Sequence, residues 1–382
     1  MLVARLHYKS LIERALTRSP SVALLGPRQC GKTTLAREVA SLQASHFFDL
    51  ESPEDQLRLQ NPEMALRPLE GLVVLDEIQT RPDLFPVLRV LADRTNHPSR
   101  FLLLGSAAPS LIRKSSETLA GRIEFINLHG FDLSEIHNPW EELWLRGGFP
   151  RSLLAKNNED SLVWREGFIK TFLQRDLPQF GIQVPETTLR RFWTMMAHSH
   201  GQVLNSSALA RSMGKSDKSI RNYIDILEQT YMLRVLPPWF ENLKKRQVKA
   251  PKIFIRDSGL LLSLLTIETQ KQLLSHPALG AAWEGFALEQ LLRIQGFNQA
   301  YFWSTHAGAE LDLFVLHKGK RLGFEFNFSE KPAITKSMHI AINDLKLDSL
   351  TIIHPGEAEA RLTDQIDVKG LLSACKKGNE YA

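Results

Sequence analysis

Cysteine is scarce in this chain, with Cys30 and Cys375 the only two among 382 residues. Two such distant thiols form neither a disulfide framework nor a zinc site by their spacing, which excludes the small disulfide-stapled and zinc-finger classes. Cys30 lies in a glycine-bearing loop, where a free thiol suits a reducing compartment. We therefore expect a cytoplasmic protein.

Long apolar runs are also absent. No stretch reaches the roughly 18 residues that a membrane-spanning helix needs, and the first ten residues lack the apolar segment of a signal peptide. We expect no signal peptide and no membrane partner. Charge is only mildly biased, because 47 basic and 42 acidic side chains leave a formal charge of +5. That excess is compatible with a nucleic-acid partner but does not require one.

The length of the chain exceeds what one hydrophobic core usually holds, so we expect two or three domains. Up to about residue 130, short apolar segments alternate with helical patterns, which predicts a parallel sheet buried on both faces. Helical and then mixed patterns follow, with strand-like segments at 300–304, 310–317, 321–328 and 349–354. The predicted division is a core at 1–140, a helical connector at 141–200, a compact helical unit at 201–245 and a mixed α/β domain at 246–382.

A glycine-bearing loop lies between a predicted strand, which ends at Leu25, and a predicted helix. Its sequence matches G-x-x-x-x-G-K-[ST] and reads Gly26, Pro27, Arg28, Gln29, Cys30, Gly31, Lys32, Thr33. The glycines permit torsions that turn N–H groups toward a phosphate, and the helix N-terminus adds its positive dipole end. Lys32 would reach the β- and γ-phosphates, and the Thr33 hydroxyl would coordinate Mg²⁺. We expect ATP to bind along this loop and Thr34.

An acidic pair ends a later apolar segment, Leu72-Val73-Val74-Leu75-Asp76-Glu77. At the end of a buried strand, Asp76 is placed to hold Mg²⁺ through water. Glu77 is placed to polarise the water that attacks the γ-phosphate. After a phosphate loop, this pair favours a hydrolase over a protein that only binds nucleotide.

Two further polar residues are candidates for the same site. Ser106 follows the apolar segment Phe101 to Leu104 and Gly105. It would sense the γ-phosphate or hold the attacking water. The alternative is that it caps a helix. Arg122 would stabilise transition-state charge from the same subunit or from a neighbouring one, which would make the chain a homo-oligomer. The alternative for Arg122 is a surface salt bridge.

Together with the loop and the Asp76-Glu77 pair, Gly105-Ser106 and Leu119-Ala120-Gly121-Arg122 resemble the AAA+ superfamily. More closely, they resemble the prokaryotic ATPases that carry a C-terminal domain of unknown function. Glu135 after Phe131, Gly147-Gly148-Phe149-Pro150 and Arg175-Asp176 fit that family too. The resemblance covers nearly the whole chain. It implies an α/β fold with a parallel-sheet P-loop ATPase core, a helical winged-helix module and a C-terminal α/β domain like a restriction endonuclease.

The helical unit at 201–245 suits a helix-turn-helix. The segment Leu204 to Ala210 begins a short helix with a polar cap, Met213-Gly214 makes a turn, and a second helix runs from Ser216 to Leu227. Basic side chains at 215, 218 and 221 would lie on the exposed face and could meet phosphates of DNA or RNA. The alternative is a packing module with a solvated basic face.

The same resemblance assigns carboxylates in the C-terminal domain. Glu284, Asp312 and Glu325 match the positions that surround Mg²⁺ in the nuclease fold. Asn327 stands where that fold carries a lysine, and a neutral amide cannot replace its charge. Nuclease activity is therefore less expected, although Lys320 or Lys331 could supply the amine. The alternative is a nuclease-like fold used for binding or stability.

Three functions follow from these patterns. The leading one is Mg²⁺-dependent ATP binding and hydrolysis that drives rearrangement of the C-terminal domains. The second is a nucleotide-regulated switch that binds DNA or RNA and hydrolyses ATP slowly. The third is an ATP-gated nuclease, which Asn327 makes the least favoured.

Overall fold

The structure is a computed structural model that describes residues 3–94, 99–106, 118–136, 139–179, 184–241 and 246–376. The chain divides into two compact units, one of residues 1–130 with 229–231 and the other of residues 131–228 with 232–382. The finer division predicted at residues 140, 200 and 245 stays a prediction. Within these ranges, no helix combines the length and the apolar character needed to cross a bilayer.

The first unit contains a five-stranded, wholly parallel sheet, as the sequence predicts. Its strands are β1 (Ser21–Gly26), β2 (Ser45–Asp49), β3 (Gly71–Asp76), β4 (Ser99–Ser106) and β5 (Ile123–Asn127). Their order in the sheet is β2-β3-β4-β1-β5. Because β4 lies between β1 and β3 and all pairings are parallel, the segments that follow these three strands meet at one edge of the sheet.

Helices pack on this sheet because its three central strands, β1, β3 and β4, are apolar and buried over most of their length. The helices are α1 (Leu6–Arg18), α2 (Lys32–Ala40), α3 (Pro53–Arg58), α4 (Pro62–Leu66) and α5 (Leu84–Ala92), with a 3₁₀ turn at Ile78–Thr80. Ile12 of α1 and Leu35 of α2 share a core cluster with Val22, Val74 and Leu102 from three strands. Burial of every residue of β1 fits a strand covered on both faces.

The second unit begins with helices and continues as mixed structure. Its helices are α6 (Trp140–Arg146), α7 (Pro150–Leu153), α8 (Asn158–Thr171), α9 (Leu177–Gln179), α10 (Glu186–His198), α11 (Ser206–Met213), α12 (Asp217–Gln229), α13 (Ser258–Leu264), α14 (Gln270–Leu274), α15 (Leu279–Gln295), α16 (Lys336–Leu345) and α17 (Leu371–Ala374). A π-helical turn at Phe172–Asp176 joins α8 to α9.

The predicted helix-turn-helix corresponds to α11 and α12. Gly214 ends α11 in the left-handed region at φ 62°, a conformation that glycine adopts without a steric cost. Ile220, Ile224 and Leu227 form the buried face of α12. An antiparallel pair follows, β6 (Leu233–Leu236) with β7 (Lys252–Ile255). The assignment as a winged helix stays a prediction.

The C-terminal part is built on a six-stranded mixed sheet. Its strands are β8 (Ala300–Ser304), β9 (Glu310–His317), β10 (Lys320–Phe326), β11 (Ser349–His354), β12 (Ala360–Arg361) and β13 (Ile366–Gly370), in the order β12-β13-β11-β10-β9-β8. β8, β9 and β10 form an antiparallel meander, whereas β10 and β11 are parallel and are connected through α16. The strands predicted at 300–304, 310–317 and 349–354 have the predicted bounds, whereas the strand predicted at 321–328 spans Lys320–Phe326.

A buried carboxylate connects three segments of the second unit. Glu289 of α15 is 1% exposed and accepts hydrogen bonds from Arg234 of β6, from Arg256 after β7 and from Arg293. Burial by itself would raise the pKa of Glu289, but the three guanidinium groups outweigh it and hold this pKa well below its usual value. The cluster therefore stabilises the folded unit as long as Glu289 is ionised.

Glu289→Gln removes the negative charge and leaves three guanidinium groups without their counter-ion. Because breaking a buried ion pair from one side costs about 3–5 kcal/mol, we expect the thermal midpoint of this unit to fall by roughly 10 °C in calorimetry. The variant loses the whole contribution of Glu289 to the free energy of unfolding at any pH above about 4.3, the usual pKa of glutamate. At lower pH the wild type loses this contribution too, as the pH falls through the lower folded-state pKa of Glu289, because protonation then removes the same charge.

Asp367→Asn is the matched control, because Asp367 pairs with the exposed Arg361 at 3.0 Å. Exposed pairs contribute less than about 1 kcal/mol, so this variant should unfold near the wild-type temperature. A Glu289→Gln variant as stable as this control would show that the arginine cluster adds nothing to the fold.

Candidate functional site

The glycine-bearing loop joins the end of β1 to the start of α2. A Cβ atom on Gly26 would lie 2.1 Å from the carbonyl oxygen of Leu128, so a larger residue cannot occupy this position without a shift of the backbone. Gln29 and Gly31 have φ angles of 62° and 98°. Left-handed torsions of this kind turn successive N–H groups to one side and form a concave anion site.

Lys32 is buried over this loop. Its Nζ donates to the carbonyl oxygens of Gly26, at 3.0 Å, and Pro27, at 2.8 Å. Both partners are neutral, and within the described part of the chain no carboxylate contacts this ammonium. Its charge is therefore left to be balanced by an anion on the loop, as a phosphate group would do.

The loop meets the acidic strand end through one short hydrogen bond. Thr33 Oγ1 donates to Asp76 Oδ2 at 2.7 Å, and the Glu77 N–H donates to Asp76 Oδ1 at 3.0 Å. Burial raises the pKa of Asp76, and the bond from Thr33 opposes that rise. A hydroxyl and a buried carboxylate are oxygen donors of the kind that Mg²⁺ takes, so these two residues fit the predicted metal.

Glu77 has an unusual backbone conformation for a residue with a side chain. Its φ of 55° and ψ of 45° are left-handed, a strain of about 1–3 kcal/mol that proteins retain mainly at functional sites. The Gln79 amide Nε2 donates to the Glu77 carboxylate, and the Gln79 Oε1 is buried without a partner among the described residues. Sequence reasoning missed Gln79, whose only signal was its position two residues after the predicted base.

Ser106 and Arg122 lie at opposite edges of the sheet. Ser106 pairs with Gly26, which places it beside the loop as predicted. Arg122 precedes β5, whose first residue pairs with Ser21 at the other end of β1, roughly 15–20 Å from the loop. It forms an exposed ion pair with Asp93, the predicted alternative. The structure thus contradicts a role for Arg122 in its own subunit, and a role toward a neighbouring subunit stays a prediction.

Arg5 is a second residue that the sequence did not reveal. It is 5% exposed and donates to the carbonyl oxygens of Cys30 at 3.2 Å, His129 at 2.8 Å and Gly130 at 3.2 Å. This side chain therefore ties the phosphate loop to the segment after β5. No local pattern indicates such a contact, because its partners lie 25 to 125 residues away.

Two of the three carboxylates predicted in the C-terminal domain, those of Glu284 and Asp312, contact a lysine. Glu284 Oε1 lies 3.1 Å and Asp312 Oδ1 lies 3.4 Å from the Nζ of Lys252 on β7. Glu310 also contacts this Nζ, at 2.5 Å. The amine at the cluster is thus Lys252, rather than Lys320 or Lys331. Within the described ranges, no group of three or more His, Cys, Asp or Glu side chains is arranged to hold a metal ion.

Burial shapes the protonation of this cluster. Burial, and then the neighbouring Asp312, raise the pKa of Glu284 to about 8 and that of Glu325 well above its usual value. Burial acts to lower the pKa of Lys252, but the surrounding carboxylates outweigh it and raise this pKa. The cluster therefore stabilises the positively charged form of Lys252.

Comparison with known proteins supports an ATPase fold for the first unit and gives no role for the second. Residues 18–137 match the model of an AAA domain, and residues 137–271 and 279–373 match two domains of unknown function, DUF8612 and DUF4143. Uncharacterized proteins of Mycobacterium tuberculosis and Mycobacterium bovis are each 48% identical over 367 residues, which are 96% of this chain and 83% of theirs.

One solved structure shares the fold. A Walker-type ATPase of Pyrococcus abyssi superposes with a TM-score of 0.52 over 69% of this chain and 96% of its own, at 15% sequence identity. At that identity the likeness concerns the fold alone.

Proposed function

The chain belongs to the same family as the two uncharacterized mycobacterial proteins, and because its residues 18–137 match an AAA domain, we propose that it is a Mg²⁺-dependent ATPase. The observation that carries the proposal is the 2.7 Å bond between Thr33 and Asp76 beside the buried Lys32. It brings a phosphate loop and an acidic strand end together, which is the arrangement that phosphoryl-transfer chemistry uses.

Each residue of the proposed site has one task. The loop N–H groups and Lys32 bind the phosphates of ATP, while Thr33 and Asp76 hold Mg²⁺. When bound, Mg²⁺ neutralises charge on the phosphate oxygens. Glu77 accepts the proton of the attacking water, and Ser106 at the end of β4 orients that water or the γ-phosphate.

Gln79 is proposed as the residue that positions Glu77. Its amide nitrogen holds the carboxylate of Glu77, and the 3₁₀ turn at Ile78–Thr80 fixes the spacing between them. The buried and unpartnered Gln79 Oε1 is an acceptor for a group that arrives with the nucleotide, such as the attacking water.

Lys32→Ala should abolish ATP binding, whereas Glu77→Gln should keep ATP affinity and lower kcat by about 10²–10⁴-fold, the range for loss of a general base. Binding is measured with a fluorescent ATP analogue and turnover by phosphate release. Arg18→Ala is the control, because Arg18 lies in an exposed pair with Glu124. Undiminished turnover in Glu77→Gln would sink the role given to Glu77.

Gln79→Ala should lower kcat by roughly tenfold and leave KM for ATP unchanged, because the Glu77 carboxylate loses its orientation but the loop is intact. Gln79→Glu should lower kcat at least as much, because it replaces the amide donor with a second carboxylate that repels Glu77. A kcat of Gln79→Glu equal to that of the wild type would argue against contact between these side chains during turnover.

Nucleic-acid binding is the second function we propose, together with ATP-driven rearrangement of the C-terminal domains. The specific support is α12, which buries one apolar face and exposes Lys218 and Arg221 on the other, close to the exposed Lys215. A helix of this kind after a short turn can present cations to phosphates. Location in the cytoplasm also stays a proposal.

The triple variant Lys215→Ala/Lys218→Ala/Arg221→Ala should weaken binding to a mixed-sequence DNA duplex. The slope of log affinity against log salt should become shallower by up to about 3, because each lost phosphate contact removes about 0.9. Fluorescence anisotropy at several salt concentrations measures both. Lys318→Ala/Lys320→Ala/Lys346→Ala changes the net charge equally at exposed positions and should leave the slope unchanged. Equal slopes in the two triple variants would exclude α12 as the contact.

A further inference from the structure

The carboxylate cluster receives its positive charge from outside residues 279–373, the DUF4143 match that contains its carboxylates. Glu284 lies on α15, Glu310 and Asp312 lie on β9, and Glu325 lies on β10. Lys252 comes from β7, which pairs with β6 and lies within the preceding matched region, residues 137–271. The ion cluster therefore joins two matched regions of the second unit.

The geometry around the Lys252 ammonium leaves no place for a second cation. Glu284, Glu310 and Asp312 each direct a carboxylate oxygen to the Nζ, which is almost fully buried. The ring of Phe302 lies on a further side, with its centroid 5.7 Å from the Nζ. A phenyl face favours an ammonium ion but offers no donor atom to a metal.

The remaining oxygens do not form a metal site either. Asp312 Oδ2 accepts the Phe326 N–H at 3.1 Å, so both oxygens of this carboxylate have partners. Glu325 Oε1 is the one buried carboxylate oxygen of the cluster that has no partner among the described residues. One buried oxygen without a partner does not supply the set of oxygen ligands that Mg²⁺ requires.

We propose that Lys252 is the resident cation of this cluster and occupies the place of the divalent metal that the nuclease-like resemblance implies. In the wild-type protein, the carboxylates then bind no divalent cation and cleave no phosphodiester bond. The cluster instead fastens β7 to α15 and β9. Asn327 agrees with this role, because a neutral amide stands two residues after Glu325, where the nuclease-like motif carries its lysine. The proposal is independent of ATP hydrolysis in the first unit.

Counting bound Mn²⁺ on the full chain tests the proposal. Electron paramagnetic resonance of free Mn²⁺ gives the number of ions bound per chain, measured without nucleotide. Every variant retains Thr33 and Asp76, so an ion held by these two residues is counted in all of them. Wild type and Asp312→Asn should bind the same number of ions. Lys252→Met, which keeps most of the side-chain volume without the charge, should bind one ion more, and Lys252→Met/Asp312→Asn should lose it.

Three outcomes would overturn the proposal. One is a wild type that binds one more Mn²⁺ than Asp312→Asn or Glu325→Gln. The second is a folded Lys252→Met that gains no ion, which would show that these carboxylates do not form a cation site. The third is Mn²⁺-dependent DNA cleavage that Asp312→Asn abolishes and Lys32→Ala retains. If Lys252→Met fails to fold, the comparison of wild type with Asp312→Asn and Glu325→Gln still decides whether a divalent ion is present.

Discussion

The hydrogen bond between Thr33 and Asp76 is the contact on which the proposed site depends. It joins the first turn of α2 to the end of β3, 43 residues later in the chain. Strand β4 separates β1 from β3, so the two strand ends are two strand spacings apart, roughly 10 Å. The loop and α2 cross that distance, and Ser106 at the end of β4 lies between them. The order of the strands therefore fixes the distance between the ends of β1 and β3, which the side chains of the site have to bridge.

Two opposite charges are buried at this edge without contacting each other in the described structure. Lys32 is 5% and Asp76 is 6% exposed, and burying an ion costs several kcal/mol unless it is paired. The apolar core between α1, α2 and the sheet supplies the stability that offsets this cost. A nucleotide with its metal would give each charge a partner, so its binding should stabilise the first unit as well as supply the substrate.

How well the sequence predicts a feature depends on how far apart in the sequence the interacting residues lie. The phosphate loop, the parallel sheet and three C-terminal strands follow from contiguous residues, and they were predicted correctly. Arg5 and Lys252 act through contacts that no local pattern encodes; Lys252, for example, meets Asp312 across 60 residues of sequence. Gln79 is only two residues from Glu77, but no motif marks it. Arg122 lies at the edge away from the loop because β5 pairs in parallel with β1, and the sequence does not reveal that pairing.

The origin of Lys252 also determines where the second unit can be cut. A fragment that begins at residue 279, where the DUF4143 match begins, retains the four carboxylates of the cluster but omits β7. Such a fragment would leave the carboxylates without their cation and would uncover the ring of Phe302, over which the Lys252 ammonium lies, which favours aggregation or binding of metal ions from the buffer. Residues 246–376 keep the lysine with its partners. A boundary upstream of β7 is therefore the sounder choice for producing this domain separately.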